Sequence, residues 1–167
     1  MQPLNVLFLC TGNAARSQMA EALLNHMAAG RMRAFSAGSR PAGFVQPLAL
    51  ERIRAIGYPT ASLRSKSWDE FTGPDAPQMD IVITVCDNAA GESCPVWPGH
   101  PAVAHWGIPD PAETPGDAAA FKDAWLSLRR RIELLLALPM EKLDKLAREQ
   151  KLRAIPAAAD EDSAFRS

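Results

Sequence analysis

The stretch Asn5-Val6-Leu7-Phe8-Leu9-Cys10-Thr11-Gly12-Asn13-Ala14-Ala15-Arg16-Ser17 decides how this chain folds. Asn5 to Leu9 is an almost continuous apolar run, the pattern of a strand covered on both faces. A short loop, Thr11 to Ala15, follows. From Arg16 to about Ala29, Met19, Leu23 and Met27 recur at helical spacing, and Gly30 supplies a stop. A strand, a short loop and a helix in that order place the loop at the carboxyl end of the strand, where open α/β sheets bind their ligands.

Working outward, a second strand is expected over Arg33 to Ala37, ended by Gly38. Gln46-Pro47-Leu48 starts a helix with proline in its first turn; Ala49, Ile53 and Ile56 share one face, and Gly57 ends it. Asp80-Ile81-Val82-Ile83-Thr84-Val85 is the clearest strand, and Ala102 to Trp106 makes a short fourth. Asp117 to Leu138 reads as a long amphipathic helix with Phe121, Trp125, Leu128, Ile132 and Leu135 on its buried stripe, broken by Pro139. A charged helix is expected from Met140 to about Arg153, its last turn meeting Pro156. Alternating strands and helices give an open parallel four-stranded α/β sheet flanked by helices. The reading is a single domain over residues 1–155, C-terminal helices included, and a disordered tail over 156–167.

Composition narrows the function. The 167 residues are 47% hydrophobic and 22% charged, ordinary for a globular protein. A formal net charge of −1 gives no reason to expect a nucleic-acid surface or a basic membrane-binding face, so any anion site is expected to be local. The apolar runs are too short to span a bilayer, and Met1 to Asn5 lacks the positive start of a secretory signal. The expected setting is the reducing cytoplasm, where an odd count of three cysteines suits catalysis better than stapling.

Chemistry concentrates in residues 10–17. Successive N–H groups of such a loop turn inward as a nest, backed by the helix N-terminus, and bind an oxyanion without a basic surface. Gly12 and Asn13 are the residues that tolerate the left-handed conformations such a loop needs. Arg16 offers a planar fork to a tetrahedral oxyanion, and Cys10 faces a positive field that favours the thiolate. Ser17 is placed to donate a hydrogen bond to that sulfur. The result is an activated nucleophile beside an anion cradle. Cys86 and Cys94, eight positions apart, would be about 12 Å apart on an intact helix, so pairing them needs a loop or an unwinding helix; Gly91 and Pro95 allow it. Two ordinary buried thiols is the other reading of this pair. A zinc site fails on ligand count, since His26, His100 and His105 form no pattern with them.

Cys10 to Ser17 resembles the phosphate loop of the low-molecular-weight tyrosine phosphatases and of the arsenate reductases that share their fold, which implies a flavodoxin-like three-layer sandwich. Val85-Cys86 through Cys94-Pro95 resembles the redox segment of the thioredoxin-coupled arsenate reductases. Ser17-Gln18-Met19-Ala20-Glu21 also follows the reductases, where phosphatases usually have proline after the serine. Ala15 stands where phosphatases often carry a further cysteine, and Ala112 and Glu113 follow Trp106-Gly107-Ile108-Pro109-Asp110-Pro111 where phosphatases have aromatic residues. The resemblance runs from about Leu4 to Leu138. It implies arsenate reduction by Cys10, Cys86 and Cys94 in a disulfide relay, with Arg16 and Thr11 to Ser17 binding the oxyanion and Asp110 as general acid. Phosphate or sulfate would fit the same loop. No bound cofactor is implied; electrons would come from thioredoxin, or from glutathione with glutaredoxin. Asn13, Glu21, Ser36 and Asp69 match positions that bind potassium in some thioredoxin-coupled relatives. The competing functions are phosphotyrosine hydrolysis with the same Cys10, Arg16 and Asp110, and a non-enzymatic oxyanion or redox sensor.

Overall fold

The computed structural model describes residues 3–85, 97, 99–113 and 116–166. Four parallel strands, β1 (Leu4–Cys10), β2 (Met32–Gly38), β3 (Ile81–Thr84) and β4 (Ala102–His105), lie in the order β2-β1-β3-β4. The decisive run is central: Val6, Leu7, Phe8 and Leu9 are all fully buried. Alternate side chains serve two cores, as the pleat requires. Val6, Phe8, Ile81 and Ile83 face the helices, whereas Leu7, Leu9 and Val82 pack with Phe71, Met79 and Trp97 on the other face. The 3-10 turn Trp68–Phe71 contributes to that second layer.

Among the described residues the α-helices are α1 (Arg16–Ala28), α2 (Pro47–Ala55), α3 (Ala118–Leu136) and α4 (Lys145–Arg166). The left-handed stop of α1 starts at Ala29 (φ 50°), one residue before the expected glycine. Asp117 caps α3 by accepting from the Ala120 N–H at 3.1 Å, and the whole expected stripe from Phe121 to Leu135 is buried. Each such side chain is worth about 1.5–3 kcal/mol of burial. Arg31 closes the other end of α3, donating to the carbonyls of Leu136 and Leu138 while pairing with Glu141.

The C-terminal segment differs from the sequence reading. Met140–Lys142 is a 3-10 turn; α4 starts only at Lys145 and continues through Pro156 to Arg166, where a disordered tail was expected. Burial explains the continuation: Leu152, Ile155 and Ala159 form an apolar stripe against the core, with Leu152 at 0% exposure. The polar side of α4 also covers the edge of the sheet. Val103 in the edge strand β4 donates its N–H to Glu149 Oε1 at 3.3 Å, and its carbonyl accepts from Arg153 Nε at 3.3 Å. Backbone groups that an edge strand would leave open are thereby paired. Among the described residues no helix is long and apolar enough to cross a membrane.

Candidate active site

β1 brings Cys10 to the carboxyl edge of the sheet, and α1 begins six residues later at Arg16. The loop between them holds its carbonyls outward. Thr11 O accepts from the Arg40 N–H (2.9 Å), Gly12 O from the Ala42 N–H (2.9 Å) and Ser65 Oγ (2.9 Å), and Ala14 O from the Gln46 N–H (2.8 Å). A loop bonded this way along its carbonyl edge turns its amide edge toward the sulfur, and the Asn13 N–H lies 3.3 Å from Cys10 Sγ. Asn13 takes the left-handed conformation (φ 49°), as expected; Gly12 does not, and a Cβ there would meet only the Ala42 Cβ at 3.8 Å. One left-handed residue suffices, so the glycine is not needed for its φ.

Cys10 is buried, with Sγ 3.0 Å from Ser17 Oγ. Asn13 Nδ2 donates to the same Oγ at 2.8 Å. A hydroxyl can accept from Asn13 and still donate its one hydrogen, so Ser17 is able to donate to Cys10 once the sulfur is a thiolate. That donor favours the charged form of the thiol. Asn13 is held in turn by its Oδ1, which accepts from the Lys66 N–H (3.0 Å) and Gln18 Nε2 (3.0 Å). Gln18 Nε2 also reaches the carbonyls of Asn13 (3.1 Å) and Arg64 (2.8 Å). Gln18, Ser65 and Lys66 thus secure the loop. Gly38, which the sequence shows only as a strand end, does so as well. Gly38 pairs in register with Cys10, and a Cβ on it would lie 2.5 Å from Thr11 O, so the loop is seated on a position without a side chain.

Arg16, largely covered at 12% exposure, donates from Nη1 to the Ile108 carbonyl at 2.9 Å; its Nη2 is 3.7 Å from Asp110 Oδ2. The structure therefore sets Cys10 against Ser17 and, one residue before that serine, Arg16 beside Asp110. Asp110 folds its other oxygen back to the Ala112 N–H (2.9 Å), which leaves Oδ2 toward the arginine. Cys86 and Cys94 lie outside the described residues. Val85, just before Cys86, donates its N–H to the Leu9 carbonyl at 2.8 Å and so leaves the sheet beside Cys10.

Ser36 Oγ donates to Glu21 Oε1 at 2.9 Å, and Lys66 Nζ stands 3.8 Å from the same oxygen, both ionic side chains being nearly covered. Burial raises the Glu21 carboxyl above its ordinary value against the pull of Lys66, and burial lowers the Lys66 ammonium. Of the other residues matched to a potassium site, Asn13 is engaged in the loop and Asp69 is exposed on the 3-10 turn. No group of three His, Cys, Asp or Glu among the described residues could hold a metal ion.

Residues 5–151 match the low molecular weight phosphotyrosine protein phosphatase family. The chain belongs to that family. Within it, an arsenate reductase of Shouchella clausii is 33% identical over 125 residues, 75% of this chain and 84% of that protein. The crystal structure of an arsenate reductase from Archaeoglobus fulgidus matches with a TM-score of 0.64 at 32% identity, covering 80% of this chain and 99% of the other. A thioredoxin-dependent arsenate reductase of Corynebacterium glutamicum matches with a TM-score of 0.59 at 28% identity, over 84% of this chain and 64% of that one. The expected low-molecular-weight phosphatase-like fold is thus the observed one.

Proposed function

We propose that this chain is an arsenate reductase, an enzyme converting arsenate to arsenite in the cytoplasm with thioredoxin as electron donor. The observation that carries the reading is Cys10 held against Ser17 and the Asn13 N–H inside an oxyanion loop, in a chain whose relatives are named for arsenate reduction. Arsenate sits against the N–H groups of Thr11 to Ser17 with the Arg16 fork on its oxygens. Cys10 thiolate attacks arsenic while Asp110 gives a proton to the departing oxygen, which leaves as water. The Cys86 thiolate then attacks Cys10 Sγ: the S–S bond forms, the S–As bond breaks, and its electron pair stays on arsenic, which leaves as arsenite. Cys94 attacks Cys86, frees Cys10 as thiolate and moves the disulfide to residues 86 and 94, from which the thioredoxin dithiol takes it. The Val85 position beside Cys10 supports the first exchange. Phosphate and sulfate compete for the loop. The Lys66 ammonium provides the positive charge beside Glu21 that the resemblance assigned to potassium.

Phosphotyrosine hydrolysis would use the same Cys10, Arg16 and Asp110, with water in place of Cys86. Ala112 and Glu113 after the acid loop offer no aromatic grip for a phosphotyrosine ring, and the Shouchella and Archaeoglobus relatives are reductases. The test is arsenate-dependent NADPH oxidation with thioredoxin and thioredoxin reductase, run beside Cys86→Ser. Turnover that the variant abolishes is expected. Turnover only with glutathione and glutaredoxin would replace the donor, and aryl phosphate cleavage without arsenite release would replace the function.

A further inference from the structure

Pro156 lies inside α4 and has no N–H to give to the carbonyl four residues back, that of Leu152. That carbonyl is buried. It still has a donor: the indole Nε1–H of Trp106 reaches it at 3.0 Å. Trp106 is itself at 0% exposure, packs its ring at 6.2 Å from Phe8, and donates its N–H to Thr84 O at 2.7 Å. It is the first residue of the loop that ends in Asp110. Ile108, two residues on, donates to Val85 O at 3.1 Å and accepts from Arg16. The root of this loop is thus fixed from below by β3 and from the side by α4, and Asp110 extends from that root.

Leu152 is the first residue past the family match, and about a fifth of this chain has no counterpart in the Archaeoglobus structure, which is itself almost wholly matched. We propose that Trp106 is a positioning residue for Asp110, and that the proline-vacated Leu152 carbonyl makes the C-terminal helix a working part of the catalytic domain. The inference rests on the reading of Asp110 as general acid. A carboxyl that must meet the departing oxygen within hydrogen-bond distance is sensitive to the placement of its loop, and the indole tie removes the freedom of that loop's first residue.

Trp106→Phe keeps an aromatic ring and removes the N–H, but it also strands the Leu152 carbonyl. Adding Pro156→Ala gives that carbonyl a helix N–H, so the double variant loses the tie without a buried unpaired acceptor. The readout is first-turnover arsenite release from the pre-reduced full chain, with thermal unfolding alongside. The double variant is expected to unfold like Pro156→Ala, to keep the arsenate concentration for half-maximal rate, and to release arsenite about 10-fold more slowly, a misplacement of order 1 Å costing up to about 10²-fold. The same pair of changes placed on Asp110→Asn should slow that variant no further, because the group being positioned is gone. Return of the double variant to the Pro156→Ala rate would overturn the inference, as would equal losses with Asp110 intact and with Asp110→Asn in place. An unchanged rate for Asp110→Asn alone would remove the acid assignment and this tie with it.

Discussion

Gly38→Ala tests whether the oxyanion loop is built on contact with β2. Gly38 lies opposite Cys10 in the sheet and donates its N–H to Lys66 O at 2.9 Å, so it cannot slide without breaking the register. An added Cβ would sit 2.5 Å from Thr11 O and 3.1 Å from both the N and Cβ of Asn13. A carbon normally approaches a carbonyl oxygen no closer than about 3.3 Å, so the loop must retreat by about 0.8 Å. Neither neighbour is a flexible side-chain tip. Thr11 O is backbone already bonded to Arg40, and Asn13 is held by Ser17, Gln18 and Lys66. Forcing a methyl into such packing costs about 1–3 kcal/mol, which for a chain of this size lowers the unfolding midpoint by roughly 2–12 °C. The kinetic effect should be larger in proportion, because a displacement approaching 1 Å between nucleophile and oxyanion site costs on the order of 10²-fold. First-turnover arsenite release and peptide-resolved alkylation of Cys10 measure it, and both should fall by at least about 10-fold. A variant that folds and keeps both rates within about twofold would refute the claim that the bare position seats the loop.

Ser17→Ala removes the hydroxyl donor to Cys10 Sγ; a hydrogen bond to a charged group is worth about 1.5–3 kcal/mol, so alkylation of Cys10 near neutral pH should slow about 10-fold or more while the chain stays folded. For the buried pair, Lys66→Met should destabilise by about 3 kcal/mol and Lys66→Met with Glu21→Gln by much less, since a lone buried charge costs more than no pair; equal losses in chemical denaturation would contradict this. The pH dependence follows from the raised Glu21: the folded state holds that proton more tightly, so its contribution is present below 4.5 and is lost as pH climbs through the folded value, and Glu21→Gln should erase that loss in a pH series of unfolding midpoints. Arg31→Ala frees the last carbonyl of α3 (Leu136), that of Leu138 just beyond it, and the Glu141 partner; the site is about a third exposed, so a modest loss of about 1–2 kcal/mol is expected, with the Glu141 part present above 4.5 and fading as pH falls through that carboxyl's lowered value.

What was legible in the sequence was local. Val6 to Leu9 announced a central strand because every residue in it is buried, and the α3 stripe announced a helix because its apolar spacing survives in the packing. Cys10, Arg16 and Ser17 could be grouped because one turn of chain and the first turn of α1 hold them together. The residues that secure them could not. Gln18 reaches the Arg64 carbonyl 46 positions away, Lys66 reaches Asn13 across 53, and Gly38 matters only because β2 lies beside β1. Nothing in the spacing of Ser65-Lys66-Ser67 announces such contacts. Pro156 shows the converse error. Read locally, a proline ends a helix because it lacks a donor, and that is sound until another part of the chain supplies one.

Arg16 ties the loop after β1 to the Trp106–Pro111 loop. A guanidinium has five N–H groups, and a bidentate clamp on a tetrahedral oxyanion uses two of them along one edge. Here Nη1 is committed to the Ile108 carbonyl, which fixes the plane of the group from the acid loop. Nη2 sits 3.7 Å from Asp110, beyond a direct hydrogen bond but close enough to feel its charge. Under the proposed function, an oxyanion that takes the other edge of Arg16 therefore arrives beside Asp110. Sequence order hides this coupling, since Arg16 and Ile108 are 92 positions apart, but their hydrogen bond makes the strand-loop-helix unit and the Trp106–Pro111 loop a single device.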